Sequence, residues 1–180
     1  MNKSTSLYLD VVRFFAALIV LASHLASKEL SGGRLWWLKI YDQMAVVAFF
    51  VLSGYVIGYV VFNKEKSFGH YAISRFSRIY SVVIPALILT FVLDFIGLRI
   101  NPNLYLDGPW PFNNESGEQN YTLAMFMLHN VWSIFQNPGI NGPFWSLSFE
   151  WFYYFIFGAA WFLKGNKRVV CLILLALVSG

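Results

Sequence analysis

Apolar residues in this chain come in long runs, separated by short polar or basic breaks. A membrane-spanning helix needs roughly 20 predominantly apolar residues. Residues 9–27, 41–62, 81–98 and 144–163 meet that pattern and predict four spanning helices. Pro85 would sit in the first turn of the third, where proline is tolerated. A further apolar run begins at Val169 and reaches only to residue 180. About 12 residues are too few to span, so the sequence is expected to stop inside a helix, as a fragment would. The run at 9–27 does not read as a signal peptide. It carries Asp10, Arg13 and His24 and lacks a small-residue cleavage pattern.

The run at 121–136 is ambiguous, being 16 residues long and holding His129, Asn130 and Ser133. Loop charge bears on it, because Lys and Arg concentrate on the cytoplasmic side. Residues 63–80 carry Lys64, Lys66, Arg75 and Arg78, and residues 164–168 carry Lys164, Lys167 and Arg168. Both want the cytoplasm. The loop at 99–120, with Asp107, Glu115 and Glu118, would lie outside. Both basic loops can be cytoplasmic only if 121–136 is re-entrant or lies at the outer interface, which is the favoured reading. The prediction is an all-α, polytopic transmembrane helical bundle of five or six hydrophobic segments, one of them re-entrant. It forms a single domain over 1–180, incomplete at its C-terminal end, with the N-terminus in the cytoplasm. Residues 67–80 read as an amphipathic helix at the membrane surface, with Phe68, Tyr71, Ala72, Phe76 and Ile79 near helical spacing.

Composition agrees with this class. Hydrophobic residues make up 58% and charged residues 12%, where soluble domains carry about 25% charged residues. The Lys and Arg residues behind the net charge of +4 sit mostly in loops between apolar segments, which argues against a nucleic-acid-binding face. The one cysteine, Cys171, allows no internal disulfide and no cysteine metal site.

Ionisable groups inside a bilayer are costly and are functional candidates by default. Arg13 and His24 lie eleven residues apart on the first helix. Eleven steps of about 100° come within roughly 20° of three full turns, so both face one side, roughly 16 Å apart along the axis. Ala16, Ala17 and Val20 lie between them. The plainer reading is that Arg13 reaches the inner interface and His24 caps the outer end. Glu150 stands about six residues into the helix at 144–163, on the face of Ser146. With that helix running inward, Glu150 and His24 would both fall in the outer half of the membrane, where a carboxylate could fix the imidazole tautomer. Asp94 is expected at the interface, and His70, in a loop, and His129 are not expected to be catalytic.

These residues form a recognisable set. Leu-Asp-Val-Val-Arg-Phe-Phe-Ala-Ala at 9–17, followed by His24, resembles the opening helix of the membrane-bound acyltransferase 3 family, whose hallmark is Arg, ten residues, then His. Phe-Phe-Val-Leu-Ser-Gly-Tyr-Val-Ile at 49–57 resembles the second helix of that family. Arg-Phe-Ser-Arg-Ile-Tyr at 75–80 is similar to its Arg-x-x-Arg signature, and Phe-Trp-Ser-Leu-Ser-Phe-Glu at 144–150 to its Trp-Ser-Leu-Ser-x-Glu motif. Two features depart from the family pattern. Ser81 stands where a proline usually follows the arginine signature, and family members are commonly much longer, so this chain corresponds to the N-terminal half.

The resemblance implies transfer of an acyl group, often acetyl, from acyl-CoA (acetyl-CoA) to a hydroxyl of a sugar or lipid-linked glycan, in the inner (plasma) membrane of a bacterium. His24 would be the general base, and Glu150 would orient it or bind the acceptor. Arg13, Arg75 and Arg78 would contact the CoA phosphates. The arginines at 75 and 78 could equally anchor to lipid headgroups. No metal is called for, and no nucleic acid. A second class of function stays open, a transporter or exporter subunit for a glycan or lipid intermediate, since intramembrane Arg, His and Glu also suit a proton-coupled path.

Overall fold

The computed structural model describes residues 2–64, 67–106, 117–132 and 134–179. Residues 107–116 of the predicted loop at 99–120, with Asp107 and Glu115, and also Lys66 and Ser133, lie outside the described residues. The chain divides into two compact units, Met1–Lys66 and Ser67–Gly180. Among the described residues, three helices are long and apolar enough to cross a membrane: Lys3–Leu25, the stretch Trp36–Asn63, and Phe68–Ile100. These three do not by themselves establish the expected count of five or six hydrophobic segments.

In the first unit, α1 (Lys3–Leu25) begins six residues before its apolar run because Asn2 caps it. The Asn2 side chain accepts a hydrogen bond from the Thr5 amide at 2.8 Å, satisfying one of the free donors of the first turn. Leu9, Ala16 and Ser23 are buried at a spacing of seven, a single stripe along the helix. A short turn, α2 (Lys28–Ser31), ends on Gly32 in the left-handed conformation, φ 62°. A 3-10 segment (Trp36–Tyr41) leads into α3 (Asp42–Asn63), close to the predicted 41–62. α1 and α3 pack on each other, and the 3-10 segment packs on both.

The second unit is organised by α4 (Phe68–Ile100), a single helix of 33 residues. It fuses two elements that the sequence suggested were separate, the interfacial helix at 67–80 and the third span at 81–98. At 1.5 Å per residue it is about 50 Å long, well beyond a hydrocarbon core of about 30 Å. No glycine or proline falls at the Tyr80–Ser81 junction, and the Ser81 hydroxyl donates back to the Arg78 carbonyl at 2.7 Å rather than capping a new helix, so the helix runs on. Pro85 consequently lies in the interior rather than the first turn, where it withholds one i→i−4 donor. His70 is in the first turn of the helix rather than in a loop, and its amide donates to the Ser67 hydroxyl. The buried residues Tyr71, Arg75, Ile79, Val83, Leu87, Thr90 and Asp94 recur every three or four positions. They form one stripe, and it contains an arginine and an aspartate.

The run at 121–136 forms no spanning helix. It is α6 (Gly117–Met125), then a two-stranded hairpin of β1 (Asn130–Val131) and β2 (Ile134–Phe135). Before it comes α5 (Pro102–Leu106). Met127 and Trp132 take positive φ, 59° and 54°, a conformation that costs non-glycine residues energy. A 3-10 turn (Gly142–Phe144) feeds α7 (Trp145–Phe162), matching the predicted 144–163. A two-residue link, with Gly165 at φ 57°, turns the chain into α8 (Gly165–Ser179). Lys167 and Arg168 thus lie in the first turn of α8 instead of a loop. The Trp132 indole donates to the Leu177 carbonyl at 2.7 Å, tying the hairpin to the far end of α8.

α4 and α7 pack antiparallel through aromatic rings. Tyr80 and Phe76 meet Trp151, with centroids at 5.8 and 4.7 Å. Tyr71 meets Phe157 at 6.1 Å and Phe68 meets Phe162 at 6.0 Å. Gly158 makes this approach possible, since a Cβ there would lie 2.9 Å from a Tyr71 ring carbon.

Candidate functional site

The packing of α4 on α7 gathers several ionisable groups. Arg75 is buried, 5% exposed, with its guanidinium carbon 5.4 Å from the centre of the Tyr71 ring. That distance suits a cation–π contact. The Tyr71 hydroxyl donates to the Tyr154 carbonyl at 2.7 Å. The Tyr154 hydroxyl donates in turn to the Glu150 carboxylate, one helical turn away. Arg75 and Arg78 both lie close enough to the Tyr154 hydroxyl to act on it electrostatically. Two arginines, two tyrosines and a carboxylate thus form one cluster within the second unit.

This corrects the expected position of Glu150. From sequence it belonged in the outer half of the membrane, away from the arginine pair. Its neighbour Trp151 stacks between Phe76 and Tyr80, which sets Glu150 at the level of the Arg75–Arg78 turn. The register of α7 against α4 decides this, and helical spacing along α7 carries no information about it.

A second polar group forms where the irregular chain after α6 returns to α4. Asp94, only 3% exposed, accepts from the Tyr121 hydroxyl at 3.0 Å and from the Ile140 backbone amide. It is a buried member of the α4 stripe. Gly139, at φ +54°, allows the approach, since any Cβ there would collide with the Asp94 carboxylate. One turn below, the Asn141 side-chain amide donates to Thr90 Oγ1 at 2.8 Å. Burial and the Asp94 carboxyl push the Tyr121 phenol upward, so it remains a donor.

The third polar contact joins the hairpin region to the start of α7. His129 is fully buried, with Nε2 3.2 Å from the Phe144 carbonyl. The Ser148 hydroxyl, also fully buried, lies 3.2 Å from Nδ1 and 3.3 Å from Nε2. One tautomer satisfies all three groups: Nε2–H donates to the carbonyl and Nδ1 accepts from the hydroxyl. Burial pushes the His129 pKa down, favouring that neutral form. Ser148 is the second serine of the Trp-Ser-Leu-Ser-Phe-Glu motif, so that motif is in part a structural clasp.

In the first unit, Arg13 sits mid-way along α1, half-buried, with Asp10 at 4.0 Å one turn before it. His24 stands in the last turn of the same helix and is exposed. Ala16 between them is buried and Val20 half-buried. The five sequence-derived candidates therefore fall into two sets: Arg13 and His24 on α1, and Arg75, Arg78 and Glu150 in the cluster on α4 and α7. Sequence reasoning missed Tyr154, Asp94, Tyr121 and the His129–Ser148 pair. Two signals were available: Tyr154 is four residues from Glu150, and Asp94 continues the Arg75 stripe at i+4 and i+3 steps.

Two arginine-bearing helices and a serine–glutamate helix in this order are the frame expected from the motifs, and the comparison with known proteins agrees. Residues 6–180 match the acyltransferase domain family, acyltransferase 3. The chain belongs to this family. Among curated relatives, an O-acetyl transferase of Shigella phage Sf6 is 30% identical over 193 aligned positions, covering 99% of this chain and 52% of the relative. An acyltransferase of Streptomyces mycarofaciens, MdmB, is 28% identical over 151 positions, covering 81% of this chain and 36% of the relative. The acyltransferase 3 chain described here thus spans about half of the first relative and about a third of the second. No solved structure matches it.

Proposed function

We propose that this acyltransferase 3 chain is part of an integral membrane enzyme that moves an acyl group, acetyl foremost, from acyl-CoA to a hydroxyl of a sugar or lipid-linked glycan. The observation that carries the reading is the cluster in which Arg75 and Arg78 stand with Tyr154 and Glu150 on packed helices. Arginine offers planar, multidentate donors that suit phosphate, and a site held by packing on two helices is more precise than one on a mobile loop. The relatives named for acyl and O-acetyl transfer support the same chemistry.

In this reading Arg13, Arg75 and Arg78 hold the CoA phosphates on the cytoplasmic side. His24 takes the proton from the acceptor hydroxyl as its oxygen attacks the thioester carbonyl. The carbon–sulfur bond breaks, and CoA leaves as its thiol after recovering that proton from the imidazolium. Glu150, fixed by Tyr154, binds the acceptor. The N-terminus and residues 164–168 face the cytoplasm, and the enzyme works in the bacterial inner membrane.

The test is acetyl transfer from labelled acetyl-CoA in membranes that express the native gene product, normalised to folded enzyme. His24→Ala is expected to lose on the order of 10²–10⁴ in specific rate, the usual contribution of a positioned base. Near-wild-type specific activity would sink the base assignment and favour a transporter instead.

A further inference from the structure

From α4, Tyr71 reaches the backbone of α7. Its hydroxyl, on a residue only 2% exposed, donates to the Tyr154 carbonyl at 2.7 Å, across 83 residues of sequence. That carbonyl lies inside α7, where it also receives the Gly158 amide four residues on. A carbonyl oxygen has two lone pairs, so it takes both donors. Gly158 is also the residue whose missing Cβ admits the Tyr71 ring. Packing alone asks for a ring at position 71, and phenylalanine would supply one. The carbonyl is already satisfied within its helix, so it does not need the hydroxyl. What the hydroxyl adds is direction. Burial of apolar rings is non-directional and tolerates small slides along a helix axis, whereas a hydrogen bond ties one atom of α4 to one atom of α7. The atom it ties belongs to Tyr154, whose own phenol, on a residue 4% exposed, donates its hydrogen to the Glu150 carboxylate. Glu150 is half-buried on a flexible side chain, and this bond holds its carboxylate in place.

We propose that Tyr71 is a positioning residue for acyl transfer, acting through Tyr154 on Glu150. Its hydroxyl fixes the Tyr154 backbone against α4, the Tyr154 phenol fixes the carboxylate, and Glu150 thereby meets the acceptor at a set height. The proposal rests on the acyltransferase reading for what Glu150 binds. The Tyr71 ring has a separate task. Its face, not its hydroxyl, lies against Arg75, whose guanidinium carbon is 5.4 Å from the ring centre. Ring and hydroxyl therefore serve different substrates: the ring supports an arginine assigned to acetyl-CoA, and the hydroxyl supports the carboxylate assigned to the acceptor.

One substitution separates the two tasks. Tyr71→Phe keeps the ring, removes the hydroxyl and strands no polar partner, since the Tyr154 carbonyl keeps its helical bond, so the fold is retained. Acetyl transfer from labelled acetyl-CoA is measured in membranes that express the native gene product, per folded enzyme, with acetyl-CoA varied. Tyr71→Phe and Tyr154→Phe should each lower the saturated rate roughly 10- to 100-fold, the scale of loss from an ångström of misplacement, and leave the KM for acetyl-CoA unchanged. The double variant should be no slower than Tyr154→Phe alone, because without the phenol the grip on α7 has nothing left to place. Tyr105→Phe is the matched control. It removes another phenol bond to a helix carbonyl, that of Leu93 at 3.3 Å, and should keep the wild-type rate. An unchanged rate in Tyr71→Phe overturns the proposal and leaves the enzyme reading standing. The same holds for a raised KM for acetyl-CoA, which would assign the hydroxyl to the arginine side, for losses that multiply in the double variant, and for an equal loss in Tyr105→Phe. A Tyr71→Phe chain that fails to fold would make the hydroxyl a folding contact and also overturn it. A wild type that transfers no acetyl would remove the enzyme reading and the proposal together.

Discussion

Replacing His129 tests how the irregular segment after α6 is held. The side chain is fully buried and makes two hydrogen bonds that leave no polar atom of the ring unused. Each is worth about 1 kcal/mol net. His129→Ala removes both and also leaves a hole, and a buried large-to-small change costs roughly 2–5 kcal/mol. His129→Phe keeps the volume but strands the Ser148 hydroxyl, at a cost of roughly 1–3 kcal/mol. The expected order of stability is wild type, then Phe, then Ala. Thermal denaturation of the detergent-solubilised protein, followed by circular dichroism, reads this order. A pH series adds an independent check. Burial lowers the His129 pKa in the folded chain, so the unfolded chain takes up a proton more readily. The contribution of this group is therefore fully present above the ordinary imidazole value of about 6.5 and is lost as pH falls below it. His129→Phe should lack this part of the acid sensitivity. An Ala variant as stable as the Phe variant, or wild type and Phe variant with the same pH profile, would refute the clasp.

Three other outcomes follow from the geometry. Gly139→Ala places a methyl group on the Asp94 carboxylate in a left-handed backbone, a conformation that alone costs roughly 1–2 kcal/mol. The thermal midpoint should fall, whereas Gly54→Ala, with open space at its Cβ, should leave it unchanged or higher. Arg75→Lys keeps the charge but loses the planar fork, so the KM for acetyl-CoA should rise with little change in folded amount; an unchanged KM would point to lipid anchoring. Asn166→Cys should label from the cytoplasmic side only, and labelling from outside would reverse the proposed orientation.

The membrane class and the chemical candidates were legible because both depend on local composition. Runs of apolar residues must become helices in lipid, since each backbone group has to be satisfied within its own segment. This holds for α1, α3 and the core of α4. The motif residues could also be named without coordinates, since Arg13, His24, Arg75, Arg78 and Glu150 are costly wherever a bilayer surrounds them.

Continuity and register lay beyond the sequence. Whether 67–80 and 81–98 make one helix or two depends on a junction that carries no stop signal, and α4 runs straight through it. The segment at 121–136 is apolar enough to suggest a helix, yet two residues with positive φ and a hairpin interrupt it. Those conformations are sustained by distant partners: Phe144 and Ser148 for His129, Leu177 for Trp132. The level of Glu150 beside Arg78, rather than at the opposite end of the helix, follows from Trp151 packing between Phe76 and Tyr80. Spacing along a helix assigns a residue to a face and a height on its own axis, but the height relative to a neighbouring helix is set only by how side chains interlock between the two. The sequence therefore determined which residues could do chemistry in a membrane, and the tertiary packing decided which of them meet.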